Sequence, residues 1–210
     1  MDIKIPYTPR KHQSYLHKQI DKNRWSVLVC HRRFGKTVCM INHLIRSALL
    51  SKLSNPRFAY IAPTFKQAKS IAWDYMKQFT AKIPHTKFNE TELRVDLPNG
   101  SRITLLGSES PDGLRGIYLD GCVIDEYANV NSKLFPEIIR PALSDRKGYC
   151  VFIGTPAGMN NNFYELYQHA QGAEDWFNYK AKASETKIVD PDELVKAKEV
   201  MGEKKYNQEF

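Results

Sequence analysis

Residues 26–45, S-V-L-V-C-H-R-R-F-G-K-T-V-C-M-I-N-H-L-I, decide how the rest of the chain is read. A short β-branched apolar run leads into Gly35-Lys36-Thr37, and an apolar stretch with helical spacing follows. That order of parts suits a phosphate-binding loop. A phosphate chain needs backbone N–H groups at a helix N-terminus, where the helix dipole is positive, and a glycine that lets the backbone approach. Lys36 would reach the β and γ phosphates, and the Thr37 hydroxyl would hold Mg²⁺. The first glycine of the usual G-x-x-x-x-G-K-[ST] pattern is replaced by Cys30, which the loop tolerates if that position has ordinary strand dihedrals. The plain alternative is a chance Gly-Lys-Thr in a surface turn, and the strand before it and helix after it argue against that.

Working outward, periodicity predicts a helix over 10–22, a buried strand at 26–30 and a helix over 37–50, with Val38, Ile41, Leu44, Ile45 and Leu49 near one face. Asn55-Pro56 breaks that helix, a second buried strand covers 58–62, and a helix is expected over 65–80. In E-L-R-V-D-L-P-N-G-S-R-I-T-L-L-G, Leu93, Val95 and Leu97 alternate with polar residues, Asn99-Gly100 supplies a turn, and Ile103 and Leu105 resume the alternation. A β-hairpin inserted between α/β units is expected there. A strand at 122–125, a helix over 133–143 and a strand at 149–153 complete the reading. Strands alternating with helices imply a mostly parallel sheet covered on both faces, with ligands at the carboxyl ends of the strands.

Those strand ends carry the remaining chemistry. V-I-D-E ends a strand in two carboxylates, of which Asp125 would serve the Mg²⁺ and Glu126 would orient and deprotonate a water. Adjacent strand residues project to opposite sides, so both can serve only where the chain turns. Thr155, after the strand Y-C-V-F-I-G, could sense a γ-phosphate; a simple Gly-Pro turn is the alternative. Arg115, flanked by glycines in P-D-G-L-R-G, is either a solvated charge or a mobile guanidinium that reaches a phosphate, its own or a neighbour's.

Composition narrows the class. Of 210 residues 42% are hydrophobic and 26% charged, as in ordinary globular domains, and the net charge of +8 suits an anionic partner. No apolar run approaches the roughly 18 residues that cross a membrane. The opening M-D-I-K-I-P-Y-T-P-R-K-H-Q lacks the apolar core of a secretory signal, so a cytoplasmic protein is expected, without membrane association. Cys30, Cys39, Cys122 and Cys150 form no C-x-x-C pair and read as core thiols. The histidines, His17 and His43 among them, show no ligand spacing.

Taken together, Tyr7, Pro9, His12-Gln13, R-R-F-G-K-T, Y-I-A-P-T-F-K-Q-A-K, P-D-G-L-R-G, V-I-D-E-Y-A and G-T-P-A-G-M-N-N-N-F-Y-E-L-Y resemble, in this order, the ATPase domain of a tailed-bacteriophage large terminase subunit. The fold class expected is α/β: a P-loop NTPase of the ASCE type, with a mostly parallel sheet, helices on both faces and the inserted hairpin. The resemblance implies an ATP-hydrolysing motor that drives double-stranded DNA into a preformed capsid. Its cofactors would be ATP and Mg²⁺. Its partners would be the portal protein, the small terminase subunit and further copies of itself in a ring, the isolated chain being monomeric. It would act in the host cytoplasm on the procapsid and be absent from the mature virion.

By the same resemblance, Gln13 with Tyr7 nearby lies in the adenine-contacting segment, and Arg32 or Arg33 senses the γ-phosphate. Phe34, Gly35, Lys36, Thr37 and Val38 line the nucleotide, with Thr37 and Asp125 on the metal. Glu126 is the catalytic base, Thr155 lies in the segment that couples hydrolysis to movement, and Arg115 stands where a ring neighbour's arginine finger falls. The chain is expected to be a single ATPase domain over 1–210, its last ~30 residues opening a linker toward a nuclease domain not contained in it, so no DNA cutting is expected. A helicase-like ATPase of the same fold is the nearest alternative. A nucleotide-binding switch without turnover and a nucleic-acid-binding module with a fortuitous Gly-Lys-Thr are the more distant ones.

Overall fold

The computed structural model describes residues 4–210. Eight strands form one sheet: β1 (Trp25–Cys30), β2 (Arg57–Ala62), β3 (Lys87–Asn89), β4 (Arg94–Asp96), β5 (Arg102–Gly107), β6 (Gly121–Asp125), β7 (Tyr149–Gly154) and β8 (Trp176–Ala181), in the order β3-β4-β5-β2-β6-β7-β1-β8. Every pairing from β5 through to β8 is parallel, while β3, β4 and β5 pair antiparallel. All the parallel strands therefore end on the same rim.

Strand alternation sorts the core into two faces. Leu28, Cys30, Phe58, Tyr60, Val123, Val151 and Ile153 pack beneath α2 (Lys36–Leu50) and the helix over 65–80. Trp25, Val27, Val29, Ala59, Ile61, Cys122, Ile124, Cys150 and Phe152 pack beneath the helices over 134–142 and 162–170. The four thiols are buried and free. The expected single apolar face of α2 is wider in the structure: Asn42 and His43 are buried as well as Ile41, Leu44 and Ile45. The reason is position, because α2 lies on the sheet with α1 (Lys11–Ile20) along its flank.

The expected hairpin is present as the antiparallel pair β4–β5, and β5 in addition pairs parallel with β2. Two elements differ from the pattern reading. The stretch expected as a helix over 133–143 is π-helical at Leu134–Ile139 and α-helical only at Arg140–Ala142; Pro136 and Pro141 remove two N–H donors from it. β8 escapes the pattern because an edge strand is only partly buried and shows no clean alternation. Tyr15 of α1 packs over Phe177 and Tyr179 on one side of β8, and Trp25 stacks on Trp176 on the other. No described helix is long and apolar enough to cross a membrane.

Candidate nucleotide site

Register brings three strand ends level. Val29 of β1 lies opposite Gly154 of β7, and Ile153 lies opposite Asp125 of β6. The residues that leave the sheet next therefore meet at one place. Lys36, Glu126, Asn129, Thr155, Pro156 and Arg32 line a cavity of about 470 Å³ there, together with Lys205, Gln208 and Glu209.

The loop after β1 is held from both sides. β1 runs through Cys30, so the cysteine has the strand geometry that makes its replacement of glycine harmless. Gly35 has φ 87°, and a Cβ there would sit 2.9 Å from the Gln13 amide nitrogen, so only glycine fits. The Gln13 side chain accepts from the Arg10 N–H at 2.9 Å and donates to the Gly35 carbonyl at 3.2 Å. His31 is buried, one ring nitrogen against the Arg32 carbonyl at 2.6 Å and the other against the Thr186 hydroxyl at 2.8 Å. The Lys36 Nζ donates back to the carbonyls of Cys30 and His31, at 3.2 and 3.3 Å. An ammonium curled over its own loop is held ready for an incoming phosphate.

Asp125 is the last residue of β6, on the face shared with Tyr60 and α2, and it is buried. Its Oδ1 accepts the Glu126 N–H at 2.9 Å, and its Oδ2 accepts the Tyr60 hydroxyl. Glu126 adopts the left-handed conformation, φ 47° and ψ 47°, which is the turn the paired carboxylates require. Thr155 Oγ1 donates to Glu126 Oε2 at 3.4 Å. Burial raises the pKa of both carboxyls; the neighbouring Asp125 charge raises that of Glu126 further, and Lys36 opposes both shifts.

The other site residues read from the sequence fall differently. Arg32 lines the cavity and pairs with Glu209 at 3.4 Å, whereas Arg33 is exposed at φ 70° and makes no ion pair among the described residues. Phe34 is buried under the loop, and Val38 packs against the core beneath α2. Tyr7 lies away from the phosphate cavity: its hydroxyl meets His17 Nε2 at 3.0 Å and its ring meets Phe79 edge-on. Arg115 lies outside the cavity too, held by Asp112 at 2.7 Å and Glu137 at 3.8 Å. Sequence reasoning missed the cavity-lining Lys205, Gln208 and Glu209, for which no motif exists, and the contact of Tyr60. Tyr60 opens the segment Y-I-A-P-T-F-K-Q-A-K and is a lone hydroxyl in the apolar strand before it, but neither says what that hydroxyl meets.

Thr37 and Asp125 fit a bound Mg²⁺. Among the described residues no three His, Cys, Asp or Glu side chains gather into a metal cage. A site with few protein oxygens suits this cation, which takes its remaining ligands from water and substrate phosphates.

A glycine-pinned loop with its lysine at a helix N-terminus, facing an Asp-Glu strand end across a parallel sheet, defines a P-loop nucleotide-binding domain. The family model "Terminase large subunit, T4likevirus-type, N-terminal" matches residues 29–202, and the chain belongs to that family. The large terminase subunit of Thermus phage G20c is 30% identical over 182 residues, covering 78% of this chain and 36% of that protein; that of Thermus virus P23-45 is equally similar. The chain thus spans about a third of the length of these relatives. The ATPase domain of the Thermus phage P74-26 large terminase superposes with a TM-score of 0.81 at 21% identity, over 98% of this chain and 94% of that one. The large terminase of another thermophilic bacteriophage, in complex with ADP, gives 0.77 at 16%, over 94% and 51%. At such identities the two structures speak for the fold alone.

Proposed function

We propose that this chain is the ATP-hydrolysing motor domain of a large terminase subunit and powers movement of double-stranded DNA into a procapsid. The observation that carries the reading is the convergence of Lys36, Glu126, Thr155 and Arg32 on one cavity, with Thr37 and Asp125 behind it. Relatives of the same family, the thermophilic-phage terminase complexes with ADP and ATP-γ-S, and the likeness to a component of the phi-29 genome packaging motor, with a TM-score of 0.51, support it.

In this mechanism the triphosphate takes Lys36 from the carbonyls it now caps, and the loop amides hold the phosphate oxygens. Mg²⁺ held by Thr37 and Asp125 would neutralise developing charge on the phosphates. Glu126 orients the attacking water and takes its proton; its burial strengthens it as a base, and the Lys36 charge opposes that rise in pKa. The Thr155 hydrogen bond fixes the Glu126 carboxylate and ties it to the segment that follows β7, so loss of the γ-phosphate is transmitted there. Arg32, rather than Arg33, is the γ-phosphate sensor, and Glu209 is its partner until nucleotide arrives. Arg115 lies outside its own cavity, as an arginine acting on a neighbour's nucleotide would. The functional unit is accordingly a ring, with portal protein, small terminase subunit and duplex DNA as partners, at the procapsid in the host cytoplasm.

Phosphate release from ATP with Mg²⁺, followed over a wide range of protein concentration, tests the reading. Hydrolysis is expected to rise more steeply than concentration. Glu126→Gln should retain ATP binding and lose roughly 10²–10⁴ in rate, and Lys36→Ala should lose binding. Wild-type turnover by Glu126→Gln would sink the base assignment. Duplex unwinding coupled to hydrolysis would favour the helicase-like alternative.

A further inference from the structure

We infer that Tyr60 is a positioning residue of the cation site, holding Asp125 in the geometry that receives the metal. The inference rests on the nucleotide reading of the cavity. Tyr60 is fully buried in β2, on the sheet face that α2 covers. Its backbone lies opposite Val123, so its long side chain runs diagonally along β6 to the carboxylate two residues on. There the hydroxyl donates to Asp125 Oδ2. One phenol thus fixes a carboxylate that would help hold Mg²⁺.

The geometry has a chemical consequence. An ionised carboxylate offers about four acceptor positions. The Glu126 N–H takes one on Oδ1 and the Tyr60 hydroxyl one on Oδ2, which leaves both oxygens a lone pair for a metal-bound water. Without that O–H, Asp125 would keep a buried oxygen with no donor and would be free to turn from the cavity. Tyr60 touches no reacting atom; it acts through the residues that do. Partners of this kind commonly change metal affinity by about 10–100-fold.

The test is the affinity of ADP measured with Mn²⁺ and with EDTA, in the whole chain. Tyr60→Phe keeps the ring and its packing. It is expected to reduce the metal's enhancement of ADP binding about tenfold and to leave metal-free ADP binding within roughly twofold, a split that a general packing defect would not produce. Asp125→Asn should lose the enhancement, and adding Tyr60→Phe to it should cost nothing further. Unchanged enhancement in Tyr60→Phe, or additive losses in the double variant, would overturn the inference and leave the nucleotide reading intact. A wild-type chain that binds ADP neither with nor without metal would overturn both. A second measurement keeps the hydroxyl: with 3-fluorotyrosine at position 60, the ¹⁹F resonance of the ADP complex should move on adding Mg²⁺, and should stay in place in Asp125→Asn. A resonance unmoved in the otherwise wild-type chain would also overturn it.

Discussion

Two hollows of similar size lie at opposite parts of α2, and they are built on opposite principles. The cavity at the ends of β1, β6 and β7, about 470 Å³, is walled by a lysine, an arginine, a glutamate and a threonine. The groove between α1 and α2, about 520 Å³, is walled mainly by Ile5, Tyr7, Pro9, Leu49 and Leu50, with Asp21 and Arg46 at its margin. Both contain titratable side chains. In the first, charges of opposite sign face an opening from strand ends and a left-handed turn. In the second, His17 and His43 stack with Nδ1 atoms 3.0 Å apart, capped by Tyr7 and with Cys39 beside them. Polar groups at strand ends are placed to meet a ligand; polar groups between helices already have each other. Burial of a titratable group is no sign of function until its partners are counted.

The sharpest way to break the contrast is at Arg115. If the strand-end cavity is open because a neighbour completes it, Arg115→Ala should cost about 10³–10⁵ in ATPase rate within an assembled ring and leave ATP affinity unchanged. Mixing Arg115→Ala with Glu126→Gln subunits should restore part of the activity. Absence of rescue at every ratio would make the cavity self-contained.

The helix groove should answer to acid rather than to nucleotide. Burial lowers the pKa of His17 to about 4, with the Arg46 charge adding to the effect, and that of His43 to about 3, with His17 adding. Asp21 opposes both shifts. A group whose folded pKa lies below its unfolded value of about 6.5 binds its proton more readily when unfolded. Stability therefore falls as pH drops from about 6.5 toward 4, by roughly 3 kcal/mol from His17 alone at about 1.4 kcal/mol per unit. Thermal unfolding across that range should show the fall, and the double variant His17→Asn/His43→Leu should flatten it. An equally steep slope in the variant would place the acid sensitivity elsewhere.

The smallest effect is expected at Tyr7. Tyr7→Phe should cost about 1 kcal/mol through its lost hydrogen bond to His17 and leave ADP affinity within roughly twofold. A tenfold loss of ADP affinity would return Tyr7 to the adenine side and blur the line between the two hollows.

The loop, the carboxylate pair and the strand–helix alternation were legible because each is local. Gly35-Lys36-Thr37 between an apolar strand and an amphipathic helix states its geometry within a few residues, and Asp125-Glu126 states that a strand must end there. The sequence by itself determined which residues leave the strand ends and what chemistry they carry. Their meeting was decided by the tertiary structure, because strand order and register are relations between distant segments that no periodicity encodes. So were the half-buried edge strand β8, the place of Arg32 rather than Arg33 on the cavity wall, the setting of Tyr7 in the helix groove, and the reach of Tyr60 across to Asp125. Hydrophobic patterning says which face of an element is covered; it does not say by what, and a hydroxyl in an apolar strand gains its role only from the carboxylate that folding sets beside it.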